Sequence, residues 1–179
     1  GQPAGKGFVA LPAVGHGRDY LHDHDVALWF AAQNRRAIAE AAATALHEAL
    51  GLTAEWATWQ DVVHNFVRRE RHGDVELWVH RKGAASARAG EFGAIPGSMG
   101  SWSYHVAGRG CAAALCSSSH GAGRRLPRGE AMRRISVRDL ERQLDGVHFP
   151  RELAAALRDE APAAYKDIGA VMRAQRDLV

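Results

Sequence analysis

The sequence predicts an α+β fold in which mixed strands are surrounded by helices. Three observations favour this class: a long stretch of helical apolar spacing near the N-terminus, short strand-like runs between loops rich in Gly, Pro and Ser, and helical patterns towards the C-terminus. The chain has 179 residues, of which 46% are hydrophobic. This length and composition are sufficient for a buried core, and we expect a single domain over residues 1–179.

The first predicted element is a long helix over residues 19–50, after a glycine-containing N-terminal segment. Gly51 supplies the signal that ends the helix. His22 and His24 are two residues apart, so on a helix they point in different directions and are not expected to form a metal site. Apolar residues recur at near-helical spacing and indicate a packing face. These residues are Val26, Phe30, Ile38, Ala42 and Leu46.

Short strands are predicted in the middle of the chain, and helices in most of the remainder. The predicted strands are residues 74–80, 92–95, 102–107 and 111–117, and stretches within 62–70, 79–106 and 160–168 are interpreted as unusual loops. Ser136 and Asp139 resemble an N-terminal cap of a helix. A final helix is expected from about residue 163, after Pro162.

Composition restricts the class of protein. No apolar run approaches the about 20 residues of a membrane span, and the N-terminus does not resemble a signal peptide, so we expect a cytoplasmic protein without a membrane partner. The two cysteines, Cys111 and Cys116, fit a reducing compartment and are expected to be small packing residues. A net charge of +3, with 20 Arg and 3 Lys, is compatible with an anionic partner.

The segment SSSHGAGRR, residues 117–125, contains the principal candidate for catalysis. Its small residues allow the backbone to approach a ligand, and their N–H groups can form a nest for anionic oxygens. The neutral imidazole of His120 is a nucleophile that can attack phosphorus. The alternative is a helix start after a buried strand, with a solvated His120 and with arginines that lie on a solvated helix face.

Other loops add weaker signals of the same kind. The stretch HRKGA at residues 80–84 places two cations and a glycine at a strand end, which suits a phosphate contact or an ordinary exposed turn. The stretch PGSMGSWS offers backbone N–H groups and serine hydroxyls that could seat a nucleotide. His64, followed by Asn65, is either a metal ligand with an amide neighbour or a structural histidine.

Taken together and in order, these motifs resemble the RtcB family of RNA-splicing ligases. The string reads HN(x4)E, HRKGA, PGSMG(x2)SY, SSSHGAGR and AYKDI. The similarity extends over nearly all of this chain but corresponds only to about the C-terminal half of the family's length. The resemblance therefore implies an RtcB-like fold that is present here as a partial domain.

The resemblance implies a GTP- and Mn²⁺-dependent ligase that joins an RNA 3′-phosphate or 2′,3′-cyclic phosphate end to a 5′-hydroxyl end. In the family, the histidine of HGAG attacks the α-phosphate of GTP, and the resulting GMP passes to the RNA 3′-phosphate. His120 is the corresponding nucleophile here. RNA with broken or spliced tRNA-like ends is the implied substrate, and an archease-like activator is a further candidate partner.

The resemblance also implies roles for individual residues. His64 would ligate manganese, and Arg124 and Arg128 would meet RNA phosphate. The residues that would contact the nucleotide are His64, Asn65, Pro96, Gly97, Ser98, Met99, Ser103, Gly121, Ala122, Gly123 and Tyr165.

This sequence also departs from the family pattern. Pro127 replaces the usual serine after HGAGR, and the family's Asp-x-Gly-Cys, Gly-Asn-His-Phe and HSGSRG-type motifs do not occur. We therefore expect the chain to be inactive alone. Two alternatives remain open: a nucleotidyltransferase that uses another substrate, and a non-catalytic RNA-binding remnant.

Overall fold

A computed structural model describes residues 11–179 of the chain. The first ten residues of the predicted N-terminal segment lie outside this range. Within it, the chain forms two compact units: residues up to 61 together with 66–69, and residues 62–65 together with 70–179. None of the helices in the described range is long and apolar enough to cross a lipid bilayer.

The first unit contains the long helix α1, His16–Leu50, which begins three residues before the predicted start. It ends at Gly51, which has a left-handed φ of 68° and donates its N–H to the carbonyl of His47 at 2.8 Å. The long-helix prediction is therefore confirmed, including the role of this glycine, because a residue without Cβ adopts a positive φ at little cost.

The prediction that the apolar residues of α1 form a packing face is wrong for the described structure. Val26, Phe30, Ile38 and Leu46 are 49–66% exposed. Helical spacing can align apolar side chains along a helix, but it does not supply another element for them to pack against. Among the described residues, these side chains stay exposed.

His24 is held by structural hydrogen bonds. Its Nε2 accepts the backbone N–H of Val67 at 3.0 Å, and its Nδ1 lies 3.1 Å from a carboxylate oxygen of Asp25. Both ring nitrogens of His24 therefore have protein partners.

Three two-stranded sheets occur among the described residues. The strands are β1, Asn65–His72; β2, Val75–Lys82; β3, Ala84–Ser86; β4, Phe92–Pro96; β5, Ser103–Ala107; and β6, Ser117–Ser119. The sheets pair β1 with β2, β3 with β6, and β4 with β5. The last two pairs are antiparallel, with Ala84 opposite Ser119 and Pro96 opposite Ser103. The strands predicted at 74–80, 92–95 and 102–107 are confirmed.

Three strand assignments differ from the sequence prediction. Residues 84–86, within the stretch 79–106 that was interpreted as a loop, form β3. Residues 62–70, interpreted as a loop, contain the start of β1. Residues 111–117, predicted as a strand, form a 3₁₀ turn at Ala112–Ala114 and a tight bend in which Leu115 and Cys116 have φ values of 49° and 48°. Only the last residue of that range enters β6.

The C-terminal part is built from short helices and 3₁₀ turns. The helices are α2, Arg128–Arg134; α3, Val137–Gln143; and α4, Ile168–Ala174. The predicted cap is confirmed, since the Ser136 hydroxyl accepts the N–H of Asp139 at 3.1 Å. The final helix begins at residue 168, later than predicted, because the carboxylate of Asp167 caps it by accepting the N–H of Ala170.

Two hydrophobic clusters hold this second unit together. The larger one lies among the C-terminal helices and consists of Ala131, Ile135, Leu140, Leu144, Phe149, Ala154, Ala161 and Ala164. The smaller one packs Ile95 of β4 against Ala122 and Ile168. Because Ala122 follows His120 by two residues, this smaller cluster fixes the turn that carries the candidate nucleophile.

Candidate active site

His120 lies directly after β6, at the start of the HGAG turn, and its side chain is half-buried. The ring Nδ1 is 2.5 Å from the carbonyl oxygen of Gly83. A carbonyl oxygen can only accept a hydrogen bond, so Nδ1 is the donor in this contact. The imidazole is therefore oriented by the backbone between β2 and β3.

His64 and Asn65 lie beside this imidazole. The ring centroids of His64 and His120 are 4.6 Å apart, with an angle of 32° between the ring planes. The N–H of Gly83 donates to the carbonyl of His64 at 2.8 Å and is 3.1 Å from Oδ1 of Asn65. The HN and HRKGA motifs thus meet at the candidate nucleophile.

The PGSMG loop adjoins the HGAG turn through one backbone contact. The carbonyl of Pro96 accepts the N–H of Ala122 at 2.9 Å. A Cβ on Gly121 would come within 3.1 Å of the same carbonyl oxygen, which explains why a residue without a side chain occurs there. The loop and the turn are therefore in direct contact.

Within the PGSMG loop, several polar groups bond to one another. The N–H of Ser98 donates to the Ser101 hydroxyl at 2.6 Å, and the two serine hydroxyls are 2.9 Å apart. Met99 packs against the larger hydrophobic cluster, whereas Ser103 is exposed at the start of β5. The loop is held in a defined shape by its own hydrogen bonds, and it contains four of the residues predicted to contact the nucleotide: Pro96, Gly97, Ser98 and Met99.

The AYKDI segment meets the other side of the turn. The carbonyl of Gly123 accepts the N–H of Lys166 at 3.0 Å, and Arg124 pairs with Tyr165 as an isolated β-bridge. Gly123 has a φ of 72°, which favours glycine at this position. Four segments distant in sequence therefore surround the HGAG turn.

Arg124 is held in a dense network. Its guanidinium donates to the carbonyls of Leu126 and Asp159, at 3.0 and 2.5 Å, and lies 3.3 Å from a Glu160 oxygen. It also lies 5.0 Å from the centre of the Tyr165 ring. Tyr165 donates its hydroxyl to Glu160, and burial, followed by that hydrogen bond, raises the pKa of the tyrosine.

Arg128 has a more open environment, on the first turn of α2. Its side chain is 72% exposed and lies 3.3 Å from Asp159 and 3.4 Å from Glu160. Pro127 caps the same helix, and its carbonyl accepts the N–H groups of Glu130 and Ala131, so the proline is compatible with a helix start here.

The metal-ligating capacity of the site is limited. Among the described residues, no three His, Cys, Asp or Glu side chains converge in a way that could hold an ion. His64 and His120 are neighbouring imidazoles, and imidazole is a suitable ligand for many divalent metals. Within residues 11–179, the site therefore presents two neighbouring imidazoles to a metal ion.

Comparison with known proteins identifies the family. Residues 5–179 match the family described as tRNA-splicing ligase RtcB. This chain belongs to the RtcB family. It is 44% identical over 166 residues to the RNA-splicing ligase RtcB of Escherichia coli strain K12, a match that covers 90% of this chain and 40% of that protein.

More distant RtcB proteins give the same result. Identity to the RNA-splicing ligase RtcB of Mycobacterium tuberculosis is 32% over 177 residues, covering 88% of this chain and 40% of that protein. Identity to the tRNA-splicing ligase RtcB of Methanocaldococcus jannaschii is 33% over 132 residues, covering 62% of this chain and 14% of that protein. The chain thus spans about two fifths of the length of the bacterial RtcB relatives.

Arg81 of the HRKGA motif was predicted to be a cation at a strand end, suited to a phosphate contact or an exposed turn. That prediction is wrong, because in this RtcB chain its guanidinium is buried in an ion pair with Glu70 of the HN(x4)E motif. Arg81 binds Glu70 through two contacts of 2.5 and 3.0 Å, and both side chains are almost fully buried. The hydrogen bond from Arg81 is the main cause that lowers the pKa of Glu70 to about 2. The buried carboxylate is therefore strongly stabilised in its charged form.

The same arginine supports the bend that leads into β6 and His120. Arg81 donates to the carbonyl of Leu115 at 2.8 Å and to the hydroxyl of Ser117 at 2.9 Å. Leu115 and Cys116 both have left-handed φ values, which are costly for residues with a side chain. The ion pair therefore stabilises an unfavourable bend that precedes the candidate nucleophile.

Proposed function

We propose that this chain carries the nucleotide-transfer site of a GTP-dependent RNA ligase, with His120 as the nucleophile. In the first step, an imidazole nitrogen attacks the α-phosphorus of GTP, the bond to the bridging oxygen breaks, and pyrophosphate leaves. The GMP then passes to an RNA 3′-phosphate. A 5′-hydroxyl attacks the activated phosphate, GMP is released, and the RNA ends are joined. A 2′,3′-cyclic phosphate is first opened by hydrolysis.

The observation that supports this proposal is the convergence of motif segments on the HGAG turn. Gly83, Pro96 and Lys166 each contribute a backbone contact to residues 120–123, although they are far apart in sequence. Phosphoryl transfer requires that nucleophile and phosphate be held in a fixed geometry, and such a rigid turn meets that requirement.

The proposed nucleotide site extends from this turn over the neighbouring loop. Gly121 and Gly123 flank the nucleotide, Ser98 and Ser103 supply hydroxyls, and Tyr165 contacts the guanine. Ala122 donates its N–H to Pro96, so it acts by holding the turn in place. Asn65, Gly97 and Met99 complete the set predicted from the sequence.

Mn²⁺ is the proposed metal, with His64 as one ligand. Because the described residues bring only the two imidazoles together, the remaining ligands would come from parts of the family that this chain does not span. When bound, the ion would supply Lewis-acid stabilisation of phosphate oxygens.

The proposed substrates are RNA ends produced by splicing or breakage. An archease-like activator is a proposed partner, and the cytoplasm is the proposed location. Arg128, which is exposed beside the turn, is the better placed of the two candidate arginines to meet RNA phosphate.

Labelling with GTP tests the nucleophile. The complete protein, incubated with Mn²⁺ and GTP labelled at the α-phosphate, should acquire acid-labile label, as expected for a phosphorus–nitrogen bond. His120→Ala should abolish the label. His105→Ala is the matched control, because His105 is an exposed histidine on β5, and it should label normally. Undiminished labelling of the His120 variant would exclude it as the nucleophile.

The same preparation separates the alternative functions. Addition of a 3′-phosphate RNA and a 5′-hydroxyl RNA should yield joined product. Label that forms on His120 but never leads to joining would indicate a nucleotidyltransferase with another substrate. If no label forms at all while RNA is bound, the chain belongs to a non-catalytic RNA-binding protein.

A further inference from the structure

Gly83 connects three parts of the site through its backbone. Its N–H donates to the carbonyl of His64 and lies near Oδ1 of Asn65, at 2.8 and 3.1 Å, while its carbonyl accepts from Nδ1 of His120 at 2.5 Å. Both polar groups of this one residue are thus engaged with the candidate active site. As the glycine of HRKGA, Gly83 was expected only to suit a phosphate contact or an ordinary turn. Its contacts with His64, Asn65 and His120 were not predicted, since Gly83 makes them through its backbone.

Two constraints require glycine at this position. The residue has a φ of 69°, in the left-handed region that side chains disfavour. A Cβ built on it would lie 3.3 Å from Cε1 and 3.5 Å from Nδ1 of His120. A side chain at residue 83 would therefore strain the backbone and press on the imidazole.

We propose that Gly83 is a positioning residue that selects Nε2 of His120 as the attacking atom. This inference rests on the nucleophilic role proposed above. A neutral imidazole carries one proton, which can be on either nitrogen. The Gly83 carbonyl accepts only from a protonated Nδ1, so the lone pair is confined to Nε2.

The selected tautomer gives a balanced first step. The Nε2 lone pair forms the bond to the α-phosphorus of GTP, and the electrons of the broken phosphorus–oxygen bond leave with pyrophosphate. No proton needs to move, because Nδ1 keeps its hydrogen. The ring thereby gains a positive charge, which the Gly83 carbonyl oxygen stabilises through the same hydrogen bond.

The retained proton also assists the second step. When an RNA phosphate oxygen attacks the histidine-bound phosphorus, the electrons of the nitrogen–phosphorus bond return to Nε2. The departing group is then a neutral imidazole, a far better leaving group than an imidazolate anion. The ring is restored to its starting tautomer, still held by Gly83, and the neighbouring His64 ring at 4.6 Å restricts its rotation.

NMR of the protein without nucleotide tests the tautomer independently of any reaction. In ¹⁵N-labelled complete protein at about pH 8.5, where an ordinary imidazole is neutral, long-range ¹H–¹⁵N spectra should report a proton on Nδ1 of His120. Gly83→Ala should shift the ring towards the other tautomer. Gly73→Ala is the matched control, because Gly73 has a φ of 60° and its Cβ would meet nothing within 4 Å. Its His120 signals should match those of the wild type.

Guanylylation provides the second measurement. GMP should be attached to Nε2 in the wild type, and Gly83→Ala should slow its formation about tenfold to a hundredfold, whereas Gly73→Ala should have little effect. A wild-type His120 protonated on Nε2, or GMP attached to Nδ1, would overturn the proposal. So would a Gly83→Ala protein that keeps both the tautomer and the rate.

The two proposals fail in different ways. The wild type could have the expected tautomer while no variant or condition yields label on His120. In that case the nucleophilic role is wrong, and so is the positioning role proposed for Gly83, which depends on it. If label forms on Nδ1, the nucleophile is correct and the role of Gly83 is wrong. Both wild-type measurements remain decisive even if Gly83→Ala does not fold.

Discussion

At the scale of single residues, Arg124 and Arg128 have the same charge but different surroundings. Arg124 is 23% exposed and bonds to two carbonyls, a carboxylate and a phenol, whereas Arg128 is 72% exposed and is paired with the half-buried carboxylates of Asp159 and Glu160. An arginine whose N–H donors are hydrogen-bonded within the protein stabilises the fold. An arginine exposed to solvent can bind a ligand with little loss of folding free energy. The sequence could not distinguish them, because Asp159, Glu160 and Tyr165 are more than 30 residues away.

Arg128→Ala should therefore affect RNA joining more than stability. We expect a change of less than about 1 kcal/mol in the free energy of unfolding, since surface ion pairs contribute little. Enzyme–GMP formation should be nearly intact, and the joining of a 3′-phosphate RNA to a 5′-hydroxyl RNA should fall about tenfold to a hundredfold through loss of one charged phosphate contact. Urea denaturation and the two activity assays on the complete protein measure these effects.

Arg124→Ala is the comparison variant. It should lower the free energy of unfolding by about 2–3 kcal/mol, because it leaves the carbonyls of Leu126 and Asp159 without their donor and removes one of the partners of Glu160. If both variants were equally destabilised, or if Arg128→Ala joined RNA normally, the alternative interpretation would hold, in which Arg128 only lies on a solvated helix face.

At the scale of secondary structure, the predictions failed where a distant partner decides the local conformation. In β1, Glu70 is buried, which breaks the apolar pattern by which a strand is identified. Its pairing with Arg81, supported by His72 and Arg88, compensates for this burial. In residues 111–117, an apolar run suggested a strand, but Leu115 bends into the left-handed region and its carbonyl is bound by the same Arg81. By contrast, α1 and the cap at Ser136 depend on neighbours in sequence, and both were predicted.

The Glu70–Arg81 pair should make stability depend on pH in a specific range. The pKa of Glu70 lies at about 2 in the folded protein, against 4.5 as the ordinary value. A lowered pKa means that the stabilisation is complete above pH 4.5 and is lost as the pH falls towards 2. At neutral pH, the lowered pKa of Glu70 contributes about 3 kcal/mol to the free energy of unfolding. Glu70→Gln should therefore destabilise the protein most at neutral pH, and the difference from wild type should shrink on acidification.

Denaturant unfolding of both proteins at several pH values below neutrality measures this difference. Glu48→Gln provides the control, since Glu48 is an exposed glutamate on α1, and it should change the free energy of unfolding little at any of these pH values. A difference between Glu70→Gln and wild type that stayed constant from neutral pH to pH 3 would contradict the assignment of a strongly lowered pKa to Glu70.

At the scale of the whole molecule, the motifs quoted from the sequence lie close together, but the contacts that join them were not predicted. The HN, HRKGA, PGSMG and AYKDI segments were each quoted from the sequence, and they do surround the HGAG turn. The contacts that join them are mainly backbone hydrogen bonds of Gly83, Pro96 and Lys166. Backbone hydrogen bonds depend on the path of the chain and not on side-chain type, so these contacts could not be predicted from the residue types.

The distribution of ligands predicts how this chain treats metal ions on its own. Two imidazoles, His64 and His120, are adjacent, no third His, Cys, Asp or Glu joins them within residues 11–179, and the first ten residues contain none of these four types. Mn²⁺ is at the weak end of the affinity order for divalent metals and favours oxygen ligands. We therefore expect calorimetry of the 179-residue chain to show no saturable Mn²⁺ binding at micromolar concentrations.

Ni²⁺, which binds imidazole more strongly, should bind measurably, and His64→Ala should weaken this binding while His105→Ala should not. Tight stoichiometric Mn²⁺ binding by the 179-residue chain would mean that its own residues complete the site, and it would remove the reason for assigning the other ligands to the rest of the family's length.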